Sequence, residues 1–525
     1  MSGRAQLYPV PVSQPRGLRR LAQRQAAALA ATALSVGGAQ ADDLRIAIGI
    51  DPFTLDPQEN DNTLIGNLQD FMCETLVYQD AAGDVHPWLA TEWESSDDGL
   101  RWTFRLSDDV TFHDGTAFDA HAVKANIDRL VDPDMRVPLR GWMGPLEGAE
   151  VVDDHTVEIT LDEPFAPFIR AMSLTIAAMN SPTAMEEKGE DYRMEPVCSG
   201  QYRFAEWRRG DRIIMERNDD YWTTPGNFER IVIPVVPEAG TRMTMLLADD
   251  VDIAVLPPAP DIPALEANPD VTVYSEPSSR IMFLGMNLDK GPLQDKRVRQ
   301  AVNHAINTDV LIERILYGQA APVSAPIPDF FFGHSAVGEY AYDPERAKEL
   351  LAEAGHEEGF EIEFRHPTGR YLLDAQVSEA IQAMLAEVGI DAQLRTMDWP
   401  TYTGSLYQTR DETDVEIYML GWGPWILDAH MTLFPHFHSS QMAPDAINST
   451  FFDSAEVDRL LEEAAVELDE DRRIELYREA MEIIWDEAPW AFLYVQNYVI
   501  ATRADLQGLS MLPIEKFEIR EARIE

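Results

Sequence analysis

The amino-acid sequence predicts an α/β protein with at least two α/β lobes and a β-rich insert, and three observations support this prediction. The chain has 525 residues, 45% of them hydrophobic, which is enough to build two to four domain-sized cores. Residues 340–420 alternate between strand-like and helix-like patterns, as in a parallel sheet with crossover helices. Residues 80–200 instead contain short segments in which apolar and polar side chains alternate, which indicates antiparallel strands.

The first 41 residues have the order of features that defines a secretory signal. Five arginines precede the apolar run AAALAATALSVGG at 26–38, and Ala39-Gln40-Ala41 forms a small-x-small cleavage site. We therefore predict a signal peptide over 1–41 and a mature protein that begins at Asp42 in the periplasm. Because residue 42 is Asp and not Cys, no lipid anchor is expected.

The chain is strongly acidic, with a formal net charge of −49 at pH 7. Such a surface repels the phosphate backbone of nucleic acids and the headgroups of anionic lipids. Nucleic acid is therefore not expected to be a partner, and a membrane surface is a poor one.

The N-terminal part of the mature chain begins with the predicted strand LRIAIGI at 44–50. A loop rich in Asp, Pro and Asn follows at 51–61, and α/β proteins usually hold ligands on loops that follow strands. Further along, RWTFRL at 101–106 and TVEITL at 156–161 each place apolar residues on one face after a turn signal, which predicts two strands of the insert.

The region 340–420 carries the clearest alternation. Asp343 as a cap, Pro344 at the first helical position and a stop at Gly355 predict a helix, and residues 374–389 predict a second one that ends at Gly389. Strands are predicted around these helices at 360–364, 390–397 and 414–420.

Two cysteines, Cys73 and Cys198, remain after the predicted signal. In an oxidising compartment they are expected to form a disulfide, and closing a loop of this length contributes about 4–5 kcal/mol in the chain-entropy description. Two buried thiols are the alternative that the sequence leaves open.

Signatures of catalysis are absent from the sequence: it contains no GxSxG elbow, no HExxH, no phosphate-binding glycine loop and no CxxC. The segment GWGPWILDAHMTLFPHFHSS at 421–440 holds His430, His436 and His438, but their spacing does not put them on one helix face. We therefore predict neither an enzyme nor a resident metal or cofactor. A metal site shared on a loop stays open as an alternative.

Several further segments occur in a fixed order along the chain: LVYQDAAGDVHPWLATEWESSDDGLRWTFRLSDDVTFHDGTAFDAHAVKANIDRL, CSGQYRFAEW with RNDDYW, MNLDKGPLQDKRVRQAVNHAIN, YDPERAKELLAEAG and IYMLGW. Taken together, they resemble the family-five extracellular solute-binding proteins of ABC importers, which receive peptides, nickel or glutathione. The resemblance covers essentially the whole mature chain.

This resemblance implies a two-lobed periplasmic-binding-protein (Venus-flytrap) fold of the class II type, with a β-rich subdomain in the first lobe. Lobe I would comprise 42–278, including the subdomain at about 80–200, and lobe II would comprise 279–490. A C-terminal return to lobe I would occupy 491–525.

The resemblance also implies ligand-binding residues. The segment PTGRY at 367–371 would offer Arg370 to a ligand carboxylate, with Tyr371 beside it, although a surface ion pair is an alternative role for Arg370. In the peptide receptors an aspartate that binds the ligand's ammonium follows the glycine-tryptophan pair by three residues, and here Trp425 occupies that position. Asp428 or an acid of the loop 51–61 would then bind the ammonium, with Trp422 and Trp425 stacking on the ligand.

The function implied is that of a monomeric periplasmic receptor that captures a small polar solute, such as a peptide or a glutathione-like compound, between its two lobes. It would deliver this small molecule or short peptide to the permease subunits of an ABC transporter in the inner membrane. A nickel-chelate receptor is an alternative, because WGPWILDAH, with His430, resembles those proteins too. A secreted hydrolase is an alternative of another class, disfavoured by the missing motifs, and a chaperone-like or sensory role on the same fold also stays open.

Overall fold

A single 11-stranded mixed sheet organises the chain, of which the computed structural model describes residues 43–525. The predicted signal peptide and the start at Asp42 lie outside the described residues. The strands are β1 Asp43–Ala47, β2 Val77–Gln79, β3 Val85–Pro87, β4 Ala90–Ser95, β5 Arg101–Leu106, β6 Leu146–Asp153, β7 Thr156–Leu161, β8 Tyr202–Arg208, β9 Arg212–Arg217, β10 Arg230–Pro234, β11 Ile253–Val255, β12 Val271–Met286, β13 Ala320–Ala321, β14 Phe360–Pro367, β15 Ile390–Met397, β16 Ile417–Trp422, β17 Trp490–Arg503, β18 Leu506–Gln507, β19 Ser510–Leu512, β20 Lys516–Glu518 and β21 Arg523–Ile524.

Helices cover this sheet and fill the connections between its strands. They are α1 Thr63–Asp70, α2 Ala120–Val131, α3 Phe168–Ala171, α4 Pro182–Lys188, α5 Ala239–Leu247, α6 Ile262–Glu266, α7 Lys296–Ala305, α8 Thr308–Val310, α9 Pro344–Glu353, α10 Asp374–Glu387, α11 Trp399–Leu406, α12 His430–Phe437, α13 Ala455–Val466 and α14 Glu470–Glu487. Within residues 43–525, no helix has the length and apolar character needed to cross a bilayer.

The order of strands in the large sheet is β15-β14-β16-β12-β17-β11-β1-β10-β9-β8, with β13 added beside β17. The strands β14, β15 and β16 are parallel to one another, which confirms the parallel sheet predicted for residues 340–420. The predicted start of the helix at Asp343 and Pro344 is also confirmed. The Asp343 carboxylate accepts a hydrogen bond from the backbone N–H of Arg346, and Pro344 is the first residue of α9.

Two long antiparallel strands, β12 and β17, join the two halves of the sheet. Residues 271–277 of β12 pair with 497–503 of β17 on the side of β11, whereas 281–285 pair with 490–495 on the side of β16. The register shifts between Pro277 and Ile281. The bulge therefore lies where one half of the sheet gives way to the other.

The β-rich insert is a separate four-stranded antiparallel sheet with the order β4-β5-β7-β6. Its strands β5 and β7 coincide with the predicted segments 101–106 and 156–161, and Trp102, Phe104, Val157 and Ile159 on one face are buried. These apolar faces pack against α2 and the segment 165–179 in one core, which Trp425, Ile426 and Met431 of the segment after β16 also join.

Strand β16 is buried on both faces. Ile417 and Met419 pack into the core covered by α7, α9 and α10, while Tyr418 and Leu420 pack into the core covered by α12, α13 and α14. Strands covered on both faces leave only their ends accessible to a ligand.

The two cysteines lie side by side in the first half of the molecule. Cys73 and Cys198 are bonded with an S–S distance of 2.05 Å and a sequence separation of 125 residues. The bond joins the segment after α1 to the segment before β8.

Candidate ligand-binding cleft

A cavity of about 610 Å³ opens where the carboxyl ends of β14, β15 and β16 meet the bulge of β12. Its walls combine flat aromatic side chains with a small number of charged groups, the usual make-up of a site for a small organic ligand. The aromatic residues are Trp142, Tyr371, Trp399, Tyr407, Trp422, Trp425 and Tyr498, and the charged residues are Asp61, Arg242, Arg280, Arg370 and Glu515.

The parallel strands bring three of these residues to one edge of the sheet. Arg370 follows β14, Trp399 follows β15, and Trp422 is the last residue of β16. Because the carboxyl ends of parallel strands meet at the same edge, residues distant in sequence converge there.

The loop that carries Arg370 is held by one carboxylate. Asp374, at the start of α10, accepts hydrogen bonds from the backbone N–H groups of Gly369 at 3.1 Å, Arg370 at 2.8 Å and Tyr371 at 3.1 Å. The next N–H, of Leu372, donates to the side-chain oxygen of Gln496 on β17 at 3.2 Å. These bonds fix the backbone of the loop and do not use the guanidinium of Arg370.

The guanidinium of Arg370 lies in the cavity without an acidic partner among residues 43–525. Its Cζ atom lies 5.2 Å from the ring centroid of Tyr371 and 4.9 Å from that of Trp399, so aromatic rings support it from two sides. Burial and the neighbouring charge of Arg280 lower the pKa of Arg370. A ligand anion would therefore find a guanidinium whose N–H donors are not hydrogen-bonded to a carboxylate of the described chain. Among residues 43–525, Arg370 forms no ion pair with an acidic side chain, so these contacts do not support its alternative role in a surface ion pair.

The two predicted tryptophans lie in the same cavity but differ in exposure. Trp422 is half-buried, and its Nε1 donates to the backbone oxygen of Met431 at 2.7 Å, which fixes the ring. Trp425 is only 7% exposed and packs edge-on against Trp142, with ring centroids 5.7 Å apart. Trp422 therefore offers the larger accessible surface, and Trp425 mainly supports the wall.

Arg280 and Glu515 form an ion pair inside the cavity wall. Nε of Arg280 lies 2.7 Å from Oε1 of Glu515, and Nη2 lies 2.8 Å from Oε2. Burial opposes ionisation of Glu515, but the adjacent Arg280 lowers the pKa of that carboxyl overall. The pair links the bulge of β12 to the C-terminal segment.

The prediction for Asp428 is corrected by the structure. Asp428 is fully buried, does not line the cavity, and is bound by Nη2 of Arg473 at 2.7 Å from each carboxylate oxygen. Since its charge is neutralised inside the protein, it is not free for a ligand's ammonium.

The predicted role of His430 in the site is corrected as well. Its ring stacks on Phe434 at 4.9 Å and contacts Phe165 edge-on at 5.4 Å, away from the residues that line the cavity. Burial lowers the pKa of His430 to about 4. Within the described chain, no group of three or more His, Cys, Asp or Glu side chains is placed to hold a metal ion.

One acid of the loop 51–61 does reach the cavity. Asp61 lines it with a side chain 61% exposed, 3.8 Å from Arg136. The other acids of the loop are engaged elsewhere: Asp51 accepts from Trp207, Asp56 pairs with Arg129, and Glu59 pairs with Arg193.

Sequence reasoning missed several lining residues, of which Trp142, Trp399, Arg280 and Glu515 matter most for the site. Trp399 carried a usable signal, because it stands just after a predicted parallel strand, as Arg370 and Trp422 do. The other three reach the cavity through long-range packing that no local pattern encodes.

Residues 84–444 match the family described as bacterial extracellular solute-binding proteins, family 5 Middle. Among curated relatives, the glutathione-binding protein GsiB of Pectobacterium atrosepticum is 31% identical over 488 residues, which cover 92% of this chain and 94% of that protein.

Two solved structures extend the likeness to nearly the whole fold. HbpA2 from Haemophilus parasuis has a TM-score of 0.85 at 26% identity, covering 92% of this chain and 100% of that chain. The periplasmic binding protein DppA from Helicobacter pylori, in complex with the peptide STSA, has a TM-score of 0.75 at 26% identity, covering 92% and 98%. These likenesses confirm the predicted fold class.

Proposed function

Because the chain belongs to the bacterial extracellular solute-binding proteins of family 5, we propose that it captures a small polar solute, such as a short peptide or a glutathione-like compound, and delivers it to an ABC importer. One observation carries this proposal. Arg370 presents a guanidinium without an acidic partner in the described chain, inside a cavity of about 610 Å³ walled by aromatic rings. The names of GsiB, glutathione-binding, and of DppA, solved with a peptide, favour this ligand class.

The proposed lobes meet at the two long strands. We assign 42–278 with 491–525 to lobe I and 279–490 to lobe II, and the bulge between Pro277 and Ile281 supports a crossing at that point. A bulge interrupts the ladder and lets a strand bend, as closure of two lobes on a ligand requires.

Within the cleft, each part of the ligand has a proposed partner. Arg370 binds a carboxylate with its fork of N–H donors, with Tyr371 packed beside it. Trp422 stacks on the body of the ligand, and Trp425 supports that wall. Asp61 takes over the ammonium, since it is the acid of loop 51–61 that lines the cavity.

We infer that capture takes place in the periplasm and that the partners are the permease subunits in the inner membrane. Family membership supports this inference, and so does the DppA structure, which is described as an ABC transporter-associated periplasmic protein. We propose that the protein acts as a monomer, a state in which one chain supplies every proposed ligand contact.

Calorimetry with reduced glutathione and with short peptides tests the proposal. The parent should bind at least one of these probes, and Arg370→Ala should weaken that binding about 30-fold or more. Arg395→Ala is the matched control, because Arg395 is 52% exposed on β15 and pairs with Glu363 outside the cavity. Equal affinity of the parent and Arg370→Ala, or a parent that binds no probe, would overturn the proposal.

A further inference from the structure

The charge of the cavity is opposite to that of the chain. The protein carries a net charge of −49, yet the cavity is lined by three arginines, Arg242, Arg280 and Arg370, and by two acids, Asp61 and Glu515. Arg242 is bonded to backbone oxygens only, including that of Val255 at 2.9 Å and that of Leu256 at 3.0 Å. Its charge is therefore not cancelled by a carboxylate hydrogen bond and adds to the positive potential of the cleft.

Arg280 is only partly used by Glu515. The carboxylate takes the Nε and Nη2 side of the guanidinium, while Nη1 has no hydrogen-bond partner among residues 43–525. The wall is tight here, since a Cβ placed on Gly423 would lie 3.2 Å from Cζ of Arg280. Because a guanidinium has five N–H donors in a fixed fork, the two on Nη1 remain for another acceptor.

The acids of the cavity do not balance these donors. Glu515 is held by Arg280 on both oxygens. Asp61 is 61% exposed and lies 3.8 Å from Arg136, so its attraction for a ligand cation is screened and shared. A ligand with one carboxylate and one ammonium would satisfy Arg370 and leave Nη1 of Arg280 without an acceptor.

We propose that the cleft selects solutes of net negative charge that carry two anionic groups, one bound by Arg370 and the second by Nη1 of Arg280. This inference rests on the proposed capture of a small solute in the same cavity. Once the lobes exclude water, an unpaired donor is costly, and a second anion on the ligand removes that cost. Arg280 lies in the bulge of β12, so the second contact also ties the ligand to the crossing between the lobes.

Two peptides that differ by a single charge test the selection. Ala-Glu and Ala-Gln have nearly the same shape, but Ala-Glu has a second carboxylate. Calorimetry should show that the parent binds Ala-Glu at least tenfold more tightly than Ala-Gln, with Ala-Lys weakest. Equal affinities for Ala-Glu and Ala-Gln would overturn the inference while leaving the proposed function intact.

Variants separate the two arginines. The double variant Arg280→Gln with Glu515→Gln removes both members of the ion pair, so neither charge is left without the other, and the preference for Ala-Glu over Ala-Gln should fall to about one. Arg370→Ala should instead weaken both peptides, because both carry the shared carboxylate. A preference retained in the double variant would overturn the role of Arg280.

A third variant tests the same contact independently, in case the double variant misfolds. Arg280→Lys keeps the charge next to Glu515 but removes the second N–H fork. The ratio of affinities for Ala-Glu and Ala-Gln should therefore be smaller than in the parent, and thermal unfolding checks that the variant is folded. If Arg280→Lys showed the same ratio of affinities for Ala-Glu and Ala-Gln as the parent, a contact through Nη1 would be contradicted. If the parent bound none of the three peptides and no reduced glutathione, both this inference and the proposed function would fail, whereas binding of Ala-Gln or Ala-Lys without Ala-Glu would overturn this inference alone.

Discussion

Arg473 and Asp428 form a buried ion pair in which one Nη2 atom lies 2.7 Å from both carboxylate oxygens. The side chains are 2% and 0% exposed. Burial opposes the charge of Arg473, but the neighbouring carboxylate of Asp428 raises the pKa of Arg473 overall. The pair ties the loop after β16 to α14 and thereby holds in place the wall that carries Trp422 and Trp425.

Removing Asp428 should destabilise the fold. Asp428→Ala leaves the charge of Arg473 buried and unpaired, and we expect the free energy of unfolding to fall by about 3–5 kcal/mol. Chemical denaturation followed by tryptophan fluorescence measures the change.

Two further variants show that the pair, and not the carboxylate alone, sets this effect. The double variant Asp428→Leu with Arg473→Met should recover much of the loss, because no charge remains in the core. Asp61→Asn removes an exposed carboxylate and should leave unfolding unchanged. An Asp428→Ala protein as stable as its parent would contradict the structural role of the pair.

Local patterns predicted the elements of the second half of the sheet well. Helix α9 has its cap at Asp343 and Pro344 at its first position, and β15 covers the predicted 390–397, because caps and apolar periodicity are encoded within a few residues. The strand predicted at 414–420 forms at 417–422 instead, since pairing with β12 sets its ends.

The charged contacts of the cleft were harder to predict, because an acid in a sequence does not reveal its partner. Asp428 and Asp61 are both acids on loops. Asp428 is bound by Arg473, which lies 45 residues further along the chain, and the local sequence gives no sign of this pairing. Likewise, Arg280 and Glu515 are 235 residues apart and meet only through the pairing of β12 with β17 and the path of the C-terminal segment.

Reduction of the disulfide should lower stability without emptying the cleft. The bond Cys73–Cys198 closes a loop of 125 residues, which in the chain-entropy description contributes about 4–5 kcal/mol. We expect dithiothreitol to lower the melting temperature of the parent and to leave that of the variant Cys73→Ala with Cys198→Ala unchanged. Full labelling of both cysteines by a thiol reagent in denatured, unreduced protein would rule the bond out.

His436 should make the fold sensitive to acid. It is 1% exposed among Trp422, Phe283 and Trp490, and burial lowers its pKa from 6.5 to about 3. Because the folded pKa lies below the unfolded one, its contribution is complete above pH 6.5 and is lost as the pH falls towards 3. The loss is about 1.4 kcal/mol per pH unit in that window.

His436→Phe isolates this contribution, since an aromatic ring is kept and the titrating group is removed. Unfolding of the parent and of the variant should diverge between pH 6.5 and pH 4, with the parent losing more stability. Parallel pH profiles of the two proteins would show that His436 is not the group that takes up the proton.

Trp422 provides the last prediction, because it is the half-buried tryptophan that ends a parallel strand inside the cavity. Trp422→Ala removes a rigid apolar surface and should cost about 2 kcal/mol of binding free energy, as expected for a central aromatic anchor. Trp422→Phe should lose less binding free energy, since a ring remains although the hydrogen bond to Met431 is gone.

The matched control is Trp93→Ala, because Trp93 is a half-buried tryptophan on β4 that does not line the cavity. This variant should bind the probe like the parent. Calorimetry with whichever of reduced glutathione or the peptides the parent binds measures all four proteins, and thermal unfolding separates lost binding from lost fold. If folded Trp422→Ala and Trp93→Ala bound the probe equally well, the aromatic wall after β16 would not contact the ligand, even with Arg370 in its proposed role.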